Sequence, residues 1–515
     1  MRSSSPIRNQ SRMRYISKFI QKITWHHAET PLGVSSFASD VLKLVGGTAF
    51  AQIITILASP ILTRLYGPEA FGFLAIFISI TSIIGVIACM RYELAIMLPE
   101  SDEKAANLLA LCLLSVVAVS GLTVPALYFG SDAIISLLKA PGLDPYLILV
   151  PPFIFINGIF LALNYWNSRT RHFGRLSAAR ITNSLATTGT QLGAGFAGYA
   201  TGGSLIGASL IGVFASTGIL GAQIWRDDHA ILRKSISLRG MAEGLKRYKR
   251  FPLIDSSSAL LNTISWQLPA FLLAAFFSPT IVGYYALGFR MLQFPMSLIG
   301  GSIAQVFFQR ASKAHSDGTL PILVENVFHS LIAIGIFPIL TVTIIGPELF
   351  AVIFGDAWIE AGLYAQVLSI WAFVWFISSP LSTLWAVLEK QAFGIRITSL
   401  NFVTRIISLI LGGVTGSPVI ALALFAFSGV LVYGYLNIKM LLFSGVQLTN
   451  AGKHLFSSLG LFCPFGIILV GLKIVNVGSL FLITAACVFG VMYYLYLMYT
   501  DSLFRALISE FRAHT

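Results

Sequence analysis

The residue best placed to do chemistry is Arg290, in the stretch YYALGFRMLQFPMSLIG that runs from Tyr284 to Gly300. A guanidinium stays protonated at any accessible pH. Its planar fork of donors matches a phosphate or a carboxylate two atoms at a time. An arginine in an apolar run therefore points to anion binding, and a diphosphate suits it. Gln293, Ser297 and Gly301 follow at i+3, i+7 and i+11, a polar or small face on a helix. Upstream, Asp255, Ser258, Asn262 and Trp266 fall at spacings 0, 3, 7 and 11, with Gln267 adjacent. These faces predict one substrate site with Arg290, Gln293 and Asn262 in it. Asp255 is a candidate for ion coupling, carrying a proton or cation. The bland alternative for Arg290 is a charge paired with an acid or with the carbonyls of a kinked helix. For Asp255 it is a helix cap.

The chain around these residues is that of a membrane protein. It has 515 residues, 56% hydrophobic and 11% charged, with a mean hydropathy of +0.81. Soluble domains carry about a quarter charged residues. The net charge of +13 is explained by Lys and Arg retained in cytoplasmic loops rather than by nucleic acid. Cys89, Cys112, Cys463 and Cys487 sit in apolar runs without metal or disulfide spacing, and His26-His27 lacks further ligands. No metal and no cofactor are expected. There is no phosphate-binding loop ending in Lys-Ser/Thr, so no built-in ATP motor. Residues 1–40 lack a signal-peptide pattern. Ile16, Phe19, Ile20 and Ile23 among basic residues read either as an interfacial helix or as a basic tail.

Spanning helices need about 20 apolar residues. Fourteen stretches qualify, near 44–63, 70–90, 106–129, 146–167, 177–198, 203–224, 254–277, 282–308, 324–346, 363–388, 397–414, 418–438, 455–472 and 477–498. With both termini cytoplasmic, 29 of the 34 basic residues fall inside, three (Arg64, Lys139, Lys473) fall outside, and two (Arg290, Arg405) lie within spans. That asymmetry fixes the orientation. Arg405, nearer the inner face, is expected to snorkel. At mid-membrane, Arg290 facing lipid would cost at least about 2.5–3.5 kcal/mol, so it should face the interior. Polar residues on spans one, four and five (Gln52, Thr55, Ser59; Asn157, Asn164; Asn183, Thr187, Gln191) are expected to line the same central cavity. Five Trp residues (Trp166, Trp266, Trp371, Trp375, Trp385) are weighed as sugar-stacking surfaces or as packing. The longest outer loop is placed at 346–361.

The fold class expected is all-α and polytopic, with about 14 transmembrane helices. Two six-helix lobes stand in parallel pseudo-repeat around a central cavity, and a C-terminal helix pair is appended. Pro68-x-x-x-Gly72 recurs as Pro279-x-x-x-Gly283, and Phe173-Gly174 as Phe393-Gly394. The division runs: 1–40 a basic cytoplasmic segment, 41–224 the N-lobe, 225–253 a basic cytoplasmic linker, 254–440 the C-lobe, and 441–515 the last two spans with a cytoplasmic tail.

GGTAFAQIITILASPILTRLYGPEAFGFLAIF (46–77) is followed by RYELAIMLPESDEKAANLLAL (91–111), and YYALGFRMLQFPMSLIGGSIAQVFF occupies 284–308. These segments resemble the polysaccharide-transport family of lipid-linked oligosaccharide flippases, in the multidrug/oligosaccharidyl-lipid/polysaccharide exporter superfamily. The resemblance implies translocation of an undecaprenyl-pyrophosphate-linked glycan across the bilayer, from the cytoplasmic to the periplasmic leaflet of a bacterial inner membrane. It also implies alternating access for assembly of O-antigen, capsule or exopolysaccharide, with a polymerase and glycosyltransferases as partners. By position it gives Arg290 the pyrophosphate or an acidic sugar, Arg91 the capture of the head group, and Arg64 the outward gate. The competing readings are a multidrug or small-solute exporter and a membrane enzyme. The exporter lacks its expected deep acid, and the enzyme its expected extramembrane domain, so no enzyme is expected.

Overall fold

The computed structural model describes residues 34–296 and 301–501. The amphipathic stretch around Ile16 to Ile23, the His26-His27 pair and Ser297 lie outside them. Apolar runs broken by Ser/Thr-Pro or Gly signals fold into long helices. We number them α1 (Val34–Leu65), α2 (Pro68–Gly85), α3 (Asp102–Leu138), α4 (Val150–Arg169), α5 (Phe173–Phe196), α6 (Gly202–Ser235), α7 (Ser256–Phe276), α8 (Pro279–Pro295), α9 (Leu320–Phe354), α10 (Ile359–Leu381), α11 (Gln391–Val414), α12 (Pro418–Phe443), α13 (Leu448–Ile474) and α14 (Ser479–Thr500). Starts are set locally. Ser278 accepts from the Ile281 amide and Ser417 from the Ile420 amide, each followed by a proline whose missing N–H is harmless there.

The fold is two-lobed. In the first half α1 packs on α5, α5 on α6, α6 on α4, and α4 on α3 and α2. The second half repeats this with each number raised by six: α7 on α11, α11 on α12, α12 on α10, and α10 on α9 and α8. The repeated motifs meet across the lobe boundary. A Cβ on Gly72 would stand 1.8 Å from the Pro279 oxygen, and one on Gly283 would stand 1.9 Å from the Pro68 oxygen. Reciprocal contacts of this kind are the signature of a two-fold axis. Helices α13 and α14 pack on α9, outside the repeat.

Eleven helices among the described residues are long and apolar enough to span a membrane. The number is twelve if Pro141–Leu147 and Val150–Arg169, bent by 54°, make one span. The expected fourteen is therefore not reached by length and composition. Helix α5 has 24 residues but is diluted by polar ones, and α8 has 17 before the undescribed 297–300. The outer loop placed at 346–361 is largely helical. α9 continues to Phe354 through a break at Ile345 (φ −119°, ψ 24°).

Prolines inside the helices free the carbonyl four residues earlier, and at three of them a side chain from another helix takes that carbonyl. Pro347 frees Thr343, whose oxygen accepts from Gln366 Nε2 at 2.7 Å. Pro338 frees Ile334, whose oxygen accepts from the Tyr494 hydroxyl at 2.8 Å. Pro269 frees Ser265, which is taken by Arg405. In lipid, such groups must be satisfied within the protein, so these bonds let bent helices persist.

Candidate functional site

Helix α8 presses closely on α10: a Cβ on Gly288 would lie 2.8 Å from the Ala361 oxygen. The next residue, Phe289, stacks on Tyr285 (5.6 Å), Trp371 (5.9 Å) and Trp375 (6.2 Å). This aromatic bank fixes the helix against its own lobe. Arg290 then points away into accessible space, as does Gln293 one turn on. Arg290 makes no hydrogen bond or ion pair with any described residue, although protein is dense around it. On α7, which touches α8, Asn262 and Ser258 are also exposed. An accessible guanidinium with no partner among the described residues keeps its donors open to an acceptor.

Asp255 ends a short π-helical turn, Phe251–Asp255. It is exposed, and it makes no side-chain cap bond to α7. Arg64 is exposed, but it is not free. Its guanidinium donates to the Pro60 (2.7 Å), Ile353 (2.7 Å) and Val352 (3.0 Å) oxygens, tying α1 to the last turn of α9. Beside it the buried Trp358 Nε1 donates across the lobes to the Thr63 oxygen at 2.9 Å. Arg91 pairs with Glu93 at 3.3 Å, between α2 and α3. Thus Arg290, Gln293 and Asn262 share neighbouring helices, while Arg91 and Arg64 stand apart from them in the N-lobe.

Two expectations are corrected, and the weighed roles of the Trp residues are separated. Arg405 does not snorkel: it is 2% exposed, donates to the Ser265 oxygen and hydroxyl (3.2 and 3.3 Å) and to the Tyr433 hydroxyl (3.4 Å), and lies 4.3 Å over Trp266. The polar residues of α1 and α5 chiefly bond within the N-lobe. Thr55 meets Ser184 at 3.0 Å and Asn183 donates to Ser216 at 3.3 Å, while Gln191 is buried and its backbone carbonyl accepts from the Tyr66 hydroxyl at 2.7 Å. Trp166 and Trp371 are buried packing, with Trp166 donating to Asp228, whereas Trp266, Trp375 and Trp385 are half-buried. Sequence reasoning passed over Glu93 as a turn residue, yet it is fully buried. The Arg-x-Glu spacing was the available signal.

Two lobes of long, partly bent apolar helices make up a multi-pass membrane protein. The chain belongs to the family described as "Polysaccharide biosynthesis protein", whose profile matches residues 61–363. No curated protein sequence matches it. Among solved structures, "Lipid II flippase MurJ, inward closed conformation" superposes with a TM-score of 0.69 at 12% identity, covering 90% of this chain and 99% of that one. A multidrug resistance MATE family transporter of the MOP superfamily, inward-facing, superposes at 0.58 and 13% identity, covering 76% and 96%. The fold is that of transporters and flippases rather than of a catalytic domain.

Proposed function

We propose that the protein flips an undecaprenyl-pyrophosphate-linked oligosaccharide from the cytoplasmic to the periplasmic leaflet of a bacterial inner membrane by alternating access. One observation carries this reading: Arg290 is accessible and lacks a partner among the described residues, within the apolar helix α8. A fixed cation of that kind attracts an anion, and the pyrophosphate of the carrier lipid fits its fork. The family match to polysaccharide biosynthesis supports the glycan as cargo. Gln293 and Asn262 would add hydrogen bonds, and the lipid tail would stay in the bilayer. Opening to the outside requires breaking the Arg64 and Trp358 bonds between the lobes. Asp255, exposed on its turn, is the weaker candidate for coupling.

The MATE neighbour favours a second reading, a multidrug or small-solute exporter. Cells lacking the protein decide between them. Accumulation of lipid-linked oligosaccharide on the inner leaflet, relieved by wild type but not by well-expressed Arg290→Ala, supports the flippase. Normal export without the protein, in the absence of a redundant carrier, turns the reading to the exporter.

A further inference from the structure

The Arg91–Glu93 pair is lopsided. Glu93 is 0% exposed, and Arg91 keeps 25% of its side chain accessible. They share one contact, Arg91 Nη1 to Glu93 Oε1, while Glu93 Oε2 and Arg91 Nε have no partner. Met90 and Arg91 both hold left-handed backbone (φ 51° and 61°), a conformation that non-glycine residues keep only where their surroundings impose it. The turn thus bends Arg91 back over Glu93. Around the carboxylate, its own turn supplies Cys89 and Tyr92. α3 supplies Cys112. α4 supplies Tyr165, while Arg169 of the same helix is spent on the Ile96 oxygen at 2.9 Å and on Asp102. The π-helical turn leading into α7 also packs here and carries Asp255, which is exposed. Arg91 is therefore the one cation on Glu93 among the described residues, and part of its side chain stays accessible.

We propose that Arg91 and Glu93 form a proton-for-anion exchange site, in which a phosphate of the lipid-linked substrate takes Arg91 and Glu93 takes up one proton from the same side. The inference rests on the flippase reading above. The ion pair is replaced by a guanidinium–phosphate pair and a neutral buried acid, so no charge is stranded without a partner. Burial already pushes the Glu93 carboxyl above the ordinary carboxylate range, while its own backbone hydrogen bond and Arg91 pull it down. A phosphate on Arg91 removes one downward pull and adds a negative charge. The liganded carboxyl then titrates higher than the free one. Affinity rises as pH falls through the liganded value and levels off below the free one, by at most about tenfold per pH unit for one proton.

The test uses the full chain in lipid nanodiscs with undecaprenyl pyrophosphate as probe, at about pH 5.5 to 8.5. Affinity is measured by titration, and proton uptake by an indicator dye in weak buffer. Wild type should take up close to one proton per lipid bound and bind more tightly at low pH. Glu93→Gln should bind without that proton, with only the shallow dependence left by the phosphate's own titration near pH 6. Glu93→Asp, which keeps an acid on a shorter stem, should recover part of the uptake. Binding by wild type without proton uptake, or the same pH profile in Glu93→Gln, overturns the exchange and leaves the flippase reading intact. No lipid binding at any pH removes both.

Discussion

Arg405 and Arg290 are two arginines inside apolar helices of the same lobe, and their surroundings are opposite. Arg405 does what a structural charge should. It caps the carbonyl that Pro269 frees, bonds the Ser265 and Tyr433 hydroxyls, and lies over the Trp266 ring. Arg290 also stands near a proline, Pro295, but caps nothing among the described residues and remains accessible. Position in the sequence does not separate the two. What separates them is whether a neighbouring helix supplies acceptors. A guanidinium whose acceptors come from the fold stabilises the fold, and one left without them is, on the proposed reading, open to an anion.

The largest effect on stability should come from Arg405→Met. It leaves the Ser265 oxygen and hydroxyl short of a donor, removes one of two donors to the Tyr433 hydroxyl and removes a cation–π contact. The expected cost is about 2–4 kcal/mol, seen as an unfolding temperature lower by about 2–4 °C and as reduced abundance. Arg290→Ala should behave in the reverse way. Its unfolding temperature should stay near wild type, while translocation of lipid-linked glycan drops by tenfold or more, and Arg290→Lys should recover part because a point charge still attracts phosphate. Loss of stability in Arg290→Ala, or full transport by it, would erase the contrast. The pairing of Arg405 with Pro269 can be measured separately. Pro269→Ala restores the helical bond to Ser265, so the cost of Arg405→Met should shrink by about 1 kcal/mol in that background. Strict additivity of the two changes would break the carbonyl-capping account.

The same contrast explains what the sequence could tell. Hydropathy and the bias of basic residues were legible because they depend on composition over whole segments. The repeat was legible from two prolines and two glycines, and those residues meet across the lobes. Arg290 and its face could be read because a charge in an apolar run stands out. What could not be read was pairing over long separations. Nothing local says that Arg405 reaches a carbonyl 140 residues away, or that Arg64 reaches one 289 residues away. Polar faces on α1 and α5 look like cavity walls until the two are seen to bond one another. Glu93 was passed over because burial of a turn residue depends on the helices that cover it.

The smallest expected effect concerns the seam where Arg64 and Trp358 join the lobes, and it sharpens the contrast from the other side. Arg64 is exposed, so its bonds to the Val352 and Ile353 oxygens compete with water. Removing them should cost about 0.5–1.5 kcal/mol, too little to unfold the protein. The loss falls only on the state in which the lobes touch at this end, so it acts as a shift between states. About 1 kcal/mol multiplies a ratio of two states by roughly five. In a background with the four native cysteines replaced by serine, Gln293→Cys reports on the cavity. Adding Arg64→Ala should raise its labelling by a membrane-impermeant thiol reagent applied outside severalfold, with little change in unfolding temperature. Unchanged labelling would mean that Trp358 and the Gly72–Gly283 crossing hold the seam alone, and that Arg64, like Arg405, only caps a helix.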